Sequence, residues 1–316
     1  MENLKGKKIL ITGGTGSFGK ALTKLIIDYV DKIYIFSRDE LKQWEMKKEF
    51  NNNEKIVFII GDIRDKNSVY SAFYEIDYVV HAAAQKHVPS CENNPFEAIQ
   101  TNIIGAKNII DASIAQNVKK VIALSTDKAV EPINLYGSTK LCMEKLFLNA
   151  NNQKYKTIFS IVRYGNVIGS RGSIIPLWKK QVEHGNSLSL TDERMTRFWI
   201  TLYQATKFVV SCFSDMHGEI FIPKLKSIKI IDLAKLLYPK ANIEIIGIRK
   251  GEKLHEILIP NAENIYNLYA YYIISDNKIM DKYKSYLVKD NFRYSSENNF
   301  MDNNEMLELL EGSKLL

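Results

Sequence analysis

A tyrosine and a lysine four residues apart are the side chains of this sequence best suited to chemistry. Tyr136 and Lys140 lie in the run YGSTK, and helix-forming residues follow them. On a helix this spacing places both side chains on one face, one turn apart. An ammonium held near a phenol favours the phenolate, so Lys140 is expected to lower the pKa of Tyr136 below about 10. Such a pair can remove the proton of a sugar or alcohol hydroxyl while a nicotinamide accepts the hydride.

An acid and a base lie side by side just upstream. The apolar residues 121–124 predict a buried strand, Ser125 and Thr126 end it, and Asp127 and Lys128 follow. Open parallel sheets bind their ligands at this end of a strand. A simple dehydrogenase needs only the Tyr–Lys pair and a hydroxyl. The added acid and base therefore indicate further proton transfers, such as elimination of water beside a transient ketone. The alternative is a solvated turn.

A glycine-rich loop near the N-terminus predicts a dinucleotide site. The short stretch Lys8–Thr12 is expected to be a strand, and Gly13, Gly16 and Gly19 then form a GxxGxxG turn that opens a helix over residues 18–29. Glycines allow a tight turn and a close approach of backbone to a pyrophosphate, which the helix N-terminus attracts. The spacing is typical of short-chain dehydrogenase/reductase proteins.

The end of the second predicted strand, residues 32–36, bears on the choice of cofactor. A fold that prefers NAD places an acidic residue here for the ribose 2′-hydroxyl. In this chain Ser37 and Arg38 come first, and a guanidinium can bind a 2′-phosphate with two hydrogen bonds. NADP is therefore favoured. The alternative is that Arg38 is a surface residue and Asp39 binds the ribose.

The third and fourth predicted strands, Ile56–Ile60 and residues 78–82, end in further candidates. Asp62 follows the third strand and could contact the adenine amine. The small alanines after the fourth strand would let a nicotinamide ribose lie against the backbone. Lys86 is a candidate phosphate or substrate contact, whereas His87 is interpreted as an ordinary loop histidine.

The order of these segments predicts an α/β fold with a doubly wound parallel sheet, a Rossmann fold. Residues 1–165 are expected to bind the dinucleotide. Residues 166–316 are expected to form a smaller, interleaved substrate-binding region. There Asn166, Arg171 and Arg249 lie in predicted loops and suit a diphosphate. The alternative is that Asn166 is an ordinary turn residue and that both arginines are ordinary surface residues.

Composition narrows the class of protein further. The 316 residues carry a net charge of +7 from scattered lysines, so nucleic-acid binding is disfavoured. Three widely spaced cysteines and five histidines without metal-ligand spacing argue against disulfides and a metal site, and fit a reducing cytoplasm. No apolar run approaches the length of a membrane span.

Together these segments resemble the inverting UDP-N-acetylglucosamine 4,6-dehydratases of flagellin-sugar (pseudaminic acid) biosynthesis, in the extended short-chain dehydrogenase/reductase group. The matching segments, which lie within residues 9–256, are ILITGGTGSFGK, IFSRDELKQ, GDIRDK, HAAAQKHVP, ALSTDKAVEPINLYGSTK, RYGNVIGSRGS, TDERMTRFWIT and GIRKGEKLHE. Membrane-bound retaining relatives carry Met in place of Tyr136, so the inverting branch is favoured.

The resemblance implies roles for particular residues. Those implied in catalysis are Thr126, Asp127, Lys128, Tyr136 and Lys140. Those implied in binding NADP are Gly13, Thr15, Gly16, Ser17, Phe18, Gly19, Ser37, Arg38, Asp39, Asp62, Ile63, Ala82, Ala84, Tyr136, Lys140 and Val167. Those implied near UDP-N-acetylglucosamine are Lys86, Asn166, Arg171, Ile174, Thr191 and Arg249.

The implied reaction consumes no cofactor. Tyr136 would deprotonate the C4 hydroxyl as C4 is oxidised, Lys128 would take H5, and Asp127 would protonate the departing C6 hydroxyl. Hydride return to C6 and protonation of C5 from the opposite face would give UDP-2-acetamido-2,6-dideoxy-beta-L-arabino-hex-4-ulose. The rivals are a capsule-type UDP-sugar dehydratase/epimerase and a non-catalytic NADP-binding sensor. A homo-oligomer is expected.

Overall fold

Six parallel strands from the first half of the chain form the centre of the fold. The computed structural model describes residues 1–151, 155–170, 173–261, 264–275, 281–288 and 291–313. The six strands are β1 (Lys8–Thr12), β2 (Lys32–Ser37), β3 (Ile56–Ile60), β4 (Tyr78–His81), β5 (Lys120–Thr126) and β6 (Ile158–Tyr164). They lie in the order β3-β2-β1-β4-β5-β6, and every pairing is parallel. The strand order reverses between β1 and β4, which is where such sheets bind ligands.

The second half of the chain extends this sheet and adds three small ones. Its strands are β7 (Asn166–Val167), β8 (Leu188–Leu190), β9 (Thr196–Ile200), β10 (Ile220–Pro223), β11 (Ser227–Lys229), β12 (Ile243–Ile245), β13 (Ile257–Ile259), β14 (Ile265–Asn267), β15 (Tyr271–Ile274) and β16 (Tyr294–Ser295). β10 continues the parallel sheet beside β6, and β15 and β14 follow it antiparallel. The small sheets are β11-β9-β7, β12-β8 and β13-β16. The division at residue 165 stays a prediction, although β10, β14 and β15 do interleave the two halves.

The helices are α1 (Ser17–Ile26), α2 (Glu40–Glu49), α3 (Lys66–Ala72), α4 (Val88–Asn93), α5 (Pro95–Ile99), α6 (Gly105–Ala115), α7 (Leu135–Ala150), α8 (Ile174–Glu183), α9 (Leu202–Cys212), α10 (Ile230–Leu237) and α11 (Asn303–Glu311). The helices α5 and α6 are separated by a π-helical segment, Gln100–Ile104. Its Asn102 amide bonds the backbone N–H and C=O of Gln85, both at 2.8 Å. In the described residues no helix is long and apolar enough to cross a membrane.

In the described residues two large hydrophobic clusters hold these elements together. The larger one surrounds the sheet, where strands such as β4 are buried along their whole length because helices cover both faces. The smaller one belongs to the second half and includes Trp178, Trp199 and Met306. The predicted doubly wound α/β fold is confirmed.

Candidate active site

A cleft of about 820 Å³ lies at the carboxyl ends of β1 to β6. It is the region that the sheet order marks as the ligand site, and most predicted site residues line it. These are Gly13, Thr15, Gly16, Ser17, Phe18, Gly19, Ser37, Arg38, Asp39, Asp62, Ile63, Ala82, Ala84, Lys86, Thr126, Lys128, Tyr136, Lys140, Asn166 and Val167.

The glycine loop brings backbone, rather than side chains, to the wall of the cleft. Gly13 has φ +64°, and a Cβ there would lie 2.9 Å from backbone atoms of Ala83. A Cβ on Gly19 would lie 2.3 Å from the carbonyl oxygen of Gly14, so α1 packs directly on the loop. Gly16 precedes the first turn of α1, whose free N–H groups form a site for an anion. This arrangement fits a dinucleotide pyrophosphate.

Beyond the loop, the cleft presents the cations Arg38 and Lys42 and two carboxylates that are already paired. Asp39 is the N-cap of α2: it accepts from the backbone N–H of Lys42 at 3.0 Å and forms an ion pair with the Lys42 side chain. These contacts lower the pKa of Asp39. Arg38 lies 3.5 Å from Asp62, which also pairs with Arg64 at 2.6 Å. Sequence reasoning missed Lys42, although its place in the first turn of α2, just after Arg38, could have suggested it.

The hydroxyls and charges around Tyr136 form one connected network. The Tyr136 phenol is hydrogen-bonded to Thr126, whose hydroxyl donates to Asp127 Oδ1 at 2.9 Å. The Lys128 ammonium donates to the same oxygen at 2.9 Å. Asp127 has no exposed surface, whereas about a quarter of the Lys128 side chain is accessible. Lys128 and Tyr136 therefore face the cleft, and Asp127 lies beneath them.

Local packing explains why α7 begins at this network. Asn134 caps α7 by accepting from the backbone N–H of Gly137 at 2.8 Å. A Cβ at Gly137 would lie 2.1 Å from the carbonyl oxygen of Lys128. The helix thus packs backbone against backbone on the loop that carries the acid and base, and only glycine fits at this contact.

The electrostatics of the Tyr–Lys pair differ from the sequence prediction. Burial raises the pKa of Tyr136 to about 12, and the nearby Lys128 charge only partly opposes this. Burial also lowers the pKa of Lys140 to about 8, with Glu144 opposing. The Lys140 ammonium donates to Met143 Sδ at 2.9 Å. The prediction that Lys140 lowers the pKa of the phenol is therefore wrong here: desolvation dominates, and Lys128 is the cation that acts on Tyr136.

Three predicted substrate residues are described but do not line the cleft, and a fourth lies outside the described residues. Thr191 contacts Met195 Sδ at 3.2 Å, and Ile174 begins α8 and packs on the smaller hydrophobic cluster. Arg249 lies 4.0 Å from Glu252 in an exposed loop. Arg171 lies outside the described residues.

Several residues of the cleft were not among the predicted site residues. They are Phe36, Lys42, Gly61, Ala83, His87, Thr101, Leu124, Ser125, Tyr164, Gly165, Ser170, Ser173 and Leu202. Tyr164 and Gly165 could have been found by applying the strand-end rule to β6 as well as to β5.

Comparison with known proteins identifies the family of the chain. Residues 9–275 match the model of a family described as polysaccharide biosynthesis protein. The chain is 52% identical to a UDP-N-acetylglucosamine 4,6-dehydratase (inverting) of Campylobacter jejuni, over 96% of this chain and 97% of that protein. It is 47% identical to a UDP-glucose 4-epimerase of Rickettsia bellii, over 81% and 79% of the two chains. The predicted resemblance is confirmed.

Solved structures share the fold. The X-ray structure of Pen from Bacillus thuringiensis superposes with a TM-score of 0.92 at 38% identity, and 99% of each chain is covered. The dTDP-glucose 4,6-dehydratase DesIV of Streptomyces venezuelae superposes with a TM-score of 0.72 at 19% identity, over 78% of this chain and 86% of DesIV. The second likeness concerns the fold alone.

Proposed function

Because the chain belongs to the polysaccharide biosynthesis protein family, we propose that it is a nucleotide-sugar dehydratase. Its substrate is UDP-N-acetylglucosamine, and its product is the C5-inverted 4-keto-6-deoxy sugar nucleotide. One observation carries the proposal: Lys128 faces the cleft beside Tyr136 and is hydrogen-bonded to a fully buried Asp127. Oxidation alone requires no such second acid and base. The Campylobacter relative, which aligns over nearly the whole chain, carries the name of this reaction.

The residues of the cleft support NADP as the cofactor. The backbone around Gly13 and the N-terminus of α1 suit the pyrophosphate, and Arg38 and Lys42 suit a 2′-phosphate, since the Asp39 carboxylate is already engaged. When bound, the nicotinamide would accept a hydride from C4 and return it to C6.

The proton transfers fall to three residues of the network. Tyr136 takes the proton of the C4 hydroxyl as the C4 hydride leaves, and the resulting ketone at C4 acidifies the C5–H bond. The proton that the Lys128 ammonium shares with Asp127 passes to the carboxylate, so that Lys128, as the neutral amine, takes H5. Asp127, as the acid, gives its proton to the C6 hydroxyl, so that the C6–O bond breaks and water leaves. A proton from solvent then reaches C5 from the opposite face as the hydride returns to C6. The Thr126 hydroxyl joins the phenol to the acid and base.

The remaining assignments belong to the same proposal. Lys86 and Asn166 line the cleft and would contact the UDP-sugar. Arg171, Ile174, Thr191 and Arg249 would approach it from the second half of the chain, the substrate-binding region from residue 166 onward. We also propose that the enzyme acts in the cytoplasm as a homo-oligomer, supplying a pathway of the pseudaminic acid type.

The UDP-glucose 4-epimerase name of the Rickettsia relatives provides a second candidate function. An epimerase also oxidises C4 but releases no water. Incubation with UDP-N-acetylglucosamine in D₂O, followed by NMR of the product, separates the two. Dehydration with inversion should give a 6-deoxy-4-keto sugar with deuterium at C5. A 4-epimer with an intact C6 hydroxyl would support the epimerase. Absence of turnover would support a sensor, and a dehydrated product with retained configuration at C5 would indicate a different dehydratase.

Arg38→Ala is expected to lose most of the preference for NADP over NAD. A charged hydrogen bond to the 2′-phosphate contributes about 1.5–3 kcal/mol, so NADP affinity should fall roughly 10- to 100-fold while NAD affinity changes little. Calorimetric titration of both cofactors measures this. Arg64→Ala is the matched control, because Arg64 pairs with the same Asp62 but does not line the cleft. An unchanged preference in Arg38→Ala would assign the 2′-phosphate to other residues.

Arg249→Ala is expected to weaken UDP binding by about 1.5–3 kcal/mol, the contribution of one charged hydrogen bond to the diphosphate. Binding of UDP to the NADP-loaded protein is the measurement. Arg293→Ala serves as control, since Arg293 also pairs with a surface glutamate, Glu131, at 2.7 Å. Equal UDP affinity in the Arg249 variant and wild type would exclude this arginine from the diphosphate site.

A further inference from the structure

A buried glutamate from the second half of the chain lies against the Lys128 ammonium. Glu256 precedes β13 and is 2% exposed. Its Oε1 lies 3.4 Å from Lys128 Nζ, so the ammonium is held between this carboxylate and that of Asp127, which is 2.9 Å away. Three charged side chains of the network therefore meet at one point, and one of them is 128 residues along the chain from Lys128.

The Glu256 carboxylate is fixed by its backbone and by other cations. The backbone N–H of Glu256 donates to Ser296 Oγ at 2.9 Å, and its carbonyl accepts from the Ser296 N–H at 2.8 Å. Arg197 lies 3.9 Å from Oε1 and Lys253 lies 3.8 Å from Oε2. Oε2 makes no hydrogen bond. Burying a carboxylate costs free energy. An apolar side chain of similar volume could fill this place without that cost if the role of the residue were only structural.

We propose that Glu256 is a positioning residue for the elimination step: its carboxylate holds Lys128 at the wall of the cleft beside Asp127. The proposal rests on the proposed function, in which Lys128 takes H5. Glu256 itself does not line the cleft, and its carboxylate contacts Lys128, so it would act through Lys128.

The surrounding charges give this contact a consequence that can be measured. Burial would lower the pKa of Lys128, but Asp127 and Glu256 outweigh it and raise the pKa well above its usual range, with Arg197 opposing. Burial would raise the pKa of Glu256, but Lys128, Arg197 and Lys253 outweigh it and keep the carboxylate ionised. Tyr136 and Lys253 are further titratable neighbours of Lys128, because its charge lowers the pKa of each of them.

Glu256→Gln removes the charge and keeps the shape. Without that charge the pKa of Lys128 falls, so a larger fraction of the amine is neutral at a given pH. In single turnovers, formation of reduced cofactor reports oxidation and its decay reports the later steps. The wild-type decay rate should keep rising into the alkaline range. In Glu256→Gln the rise should level off about 1–3 pH units lower, the usual effect of one neighbouring charge.

Two further variants serve as controls. Glu219→Gln makes the same change at another buried glutamate. Glu219 lies just before β10, at the amino-terminal end of that strand and away from the cleft. This variant should leave the pH profile unchanged. Glu256→Asp keeps the charge, so its decay rate should keep the wild-type dependence on pH even if every rate is lower. It tests the inference if Glu256→Gln folds poorly. Thermal unfolding and UDP binding check that each variant is folded.

The outcomes separate the inference from the proposed function. If the wild type forms no dehydrated product, the proposed function fails. If the wild type is active and Glu256→Gln shows the wild-type profile, or a loss that is equal at every pH, Glu256 is only a structural residue and the inference is overturned. A plateau that is reached at lower pH in Glu256→Gln, but not in Glu219→Gln or Glu256→Asp, supports the inference.

Discussion

Lys128→Ala is expected to stop elimination while leaving oxidation intact. In the proposed reaction Tyr136 and the cofactor suffice for the first hydride transfer, but loss of water needs a base at C5. Dehydrated product should therefore form roughly 10²–10⁴-fold more slowly, the usual contribution of a general acid or base. Reduced cofactor should accumulate in single turnovers, because the hydride cannot pass to C6 until water has left. NADP and UDP should still bind.

A matched control distinguishes lost chemistry from a broken ion pair. Lys119→Ala also breaks a lysine–aspartate pair, with Asp77 at 2.7 Å, but at the amino-terminal edge of the sheet. It should leave turnover within a few-fold of the wild type. If Lys128→Ala turned over at the wild-type rate, Asp127 and Lys128 would be an ordinary turn, and the base at C5 would have to be sought elsewhere.

The parts of the cleft that could be predicted depend on local sequence. The glycine loop is recognisable because Gly13 must adopt a positive φ and leave room for Ala83, which only glycine can do. The strand ends follow from apolar runs that stop at polar residues, and β5 does end at Thr126. Since parallel strands bring their carboxyl ends to one edge, these segments could be placed together without knowing any contact between them.

The parts that were missed depend on tertiary contacts. Nothing in the sequence around Glu256 indicates that its carboxylate reaches Lys128, because segments so far apart meet only through the packing of β13 against the loop that carries Asp127 and Lys128. The pKa of Tyr136 was misjudged for a related reason. Spacing shows that Tyr136 and Lys140 share a helix face, but it does not show how completely the fold removes them from water.

Tyr136→Phe is expected to fail one step earlier than Lys128→Ala. The substitution keeps the buried ring but removes the hydroxyl that bonds Thr126 and takes the C4 proton. Without a base for that proton, oxidation should slow roughly 10²–10⁴-fold and no reduced cofactor should accumulate. Stopped-flow absorbance of the reduced nicotinamide, with product NMR, measures both.

The pH dependence makes this prediction sharper. Burial raises the pKa of Tyr136 to about 12, so very little phenolate exists near neutral pH and wild-type oxidation should become faster as the pH rises. In Tyr136→Phe that rise should disappear. Tyr164→Phe is the control, since Tyr164 is another buried phenol on the same cleft and should leave oxidation nearly unchanged. If Tyr136→Phe still reduced the cofactor with a wild-type pH profile, the C4 proton would go to a different group, and Lys128, the cation acting on Tyr136, would be the first to test.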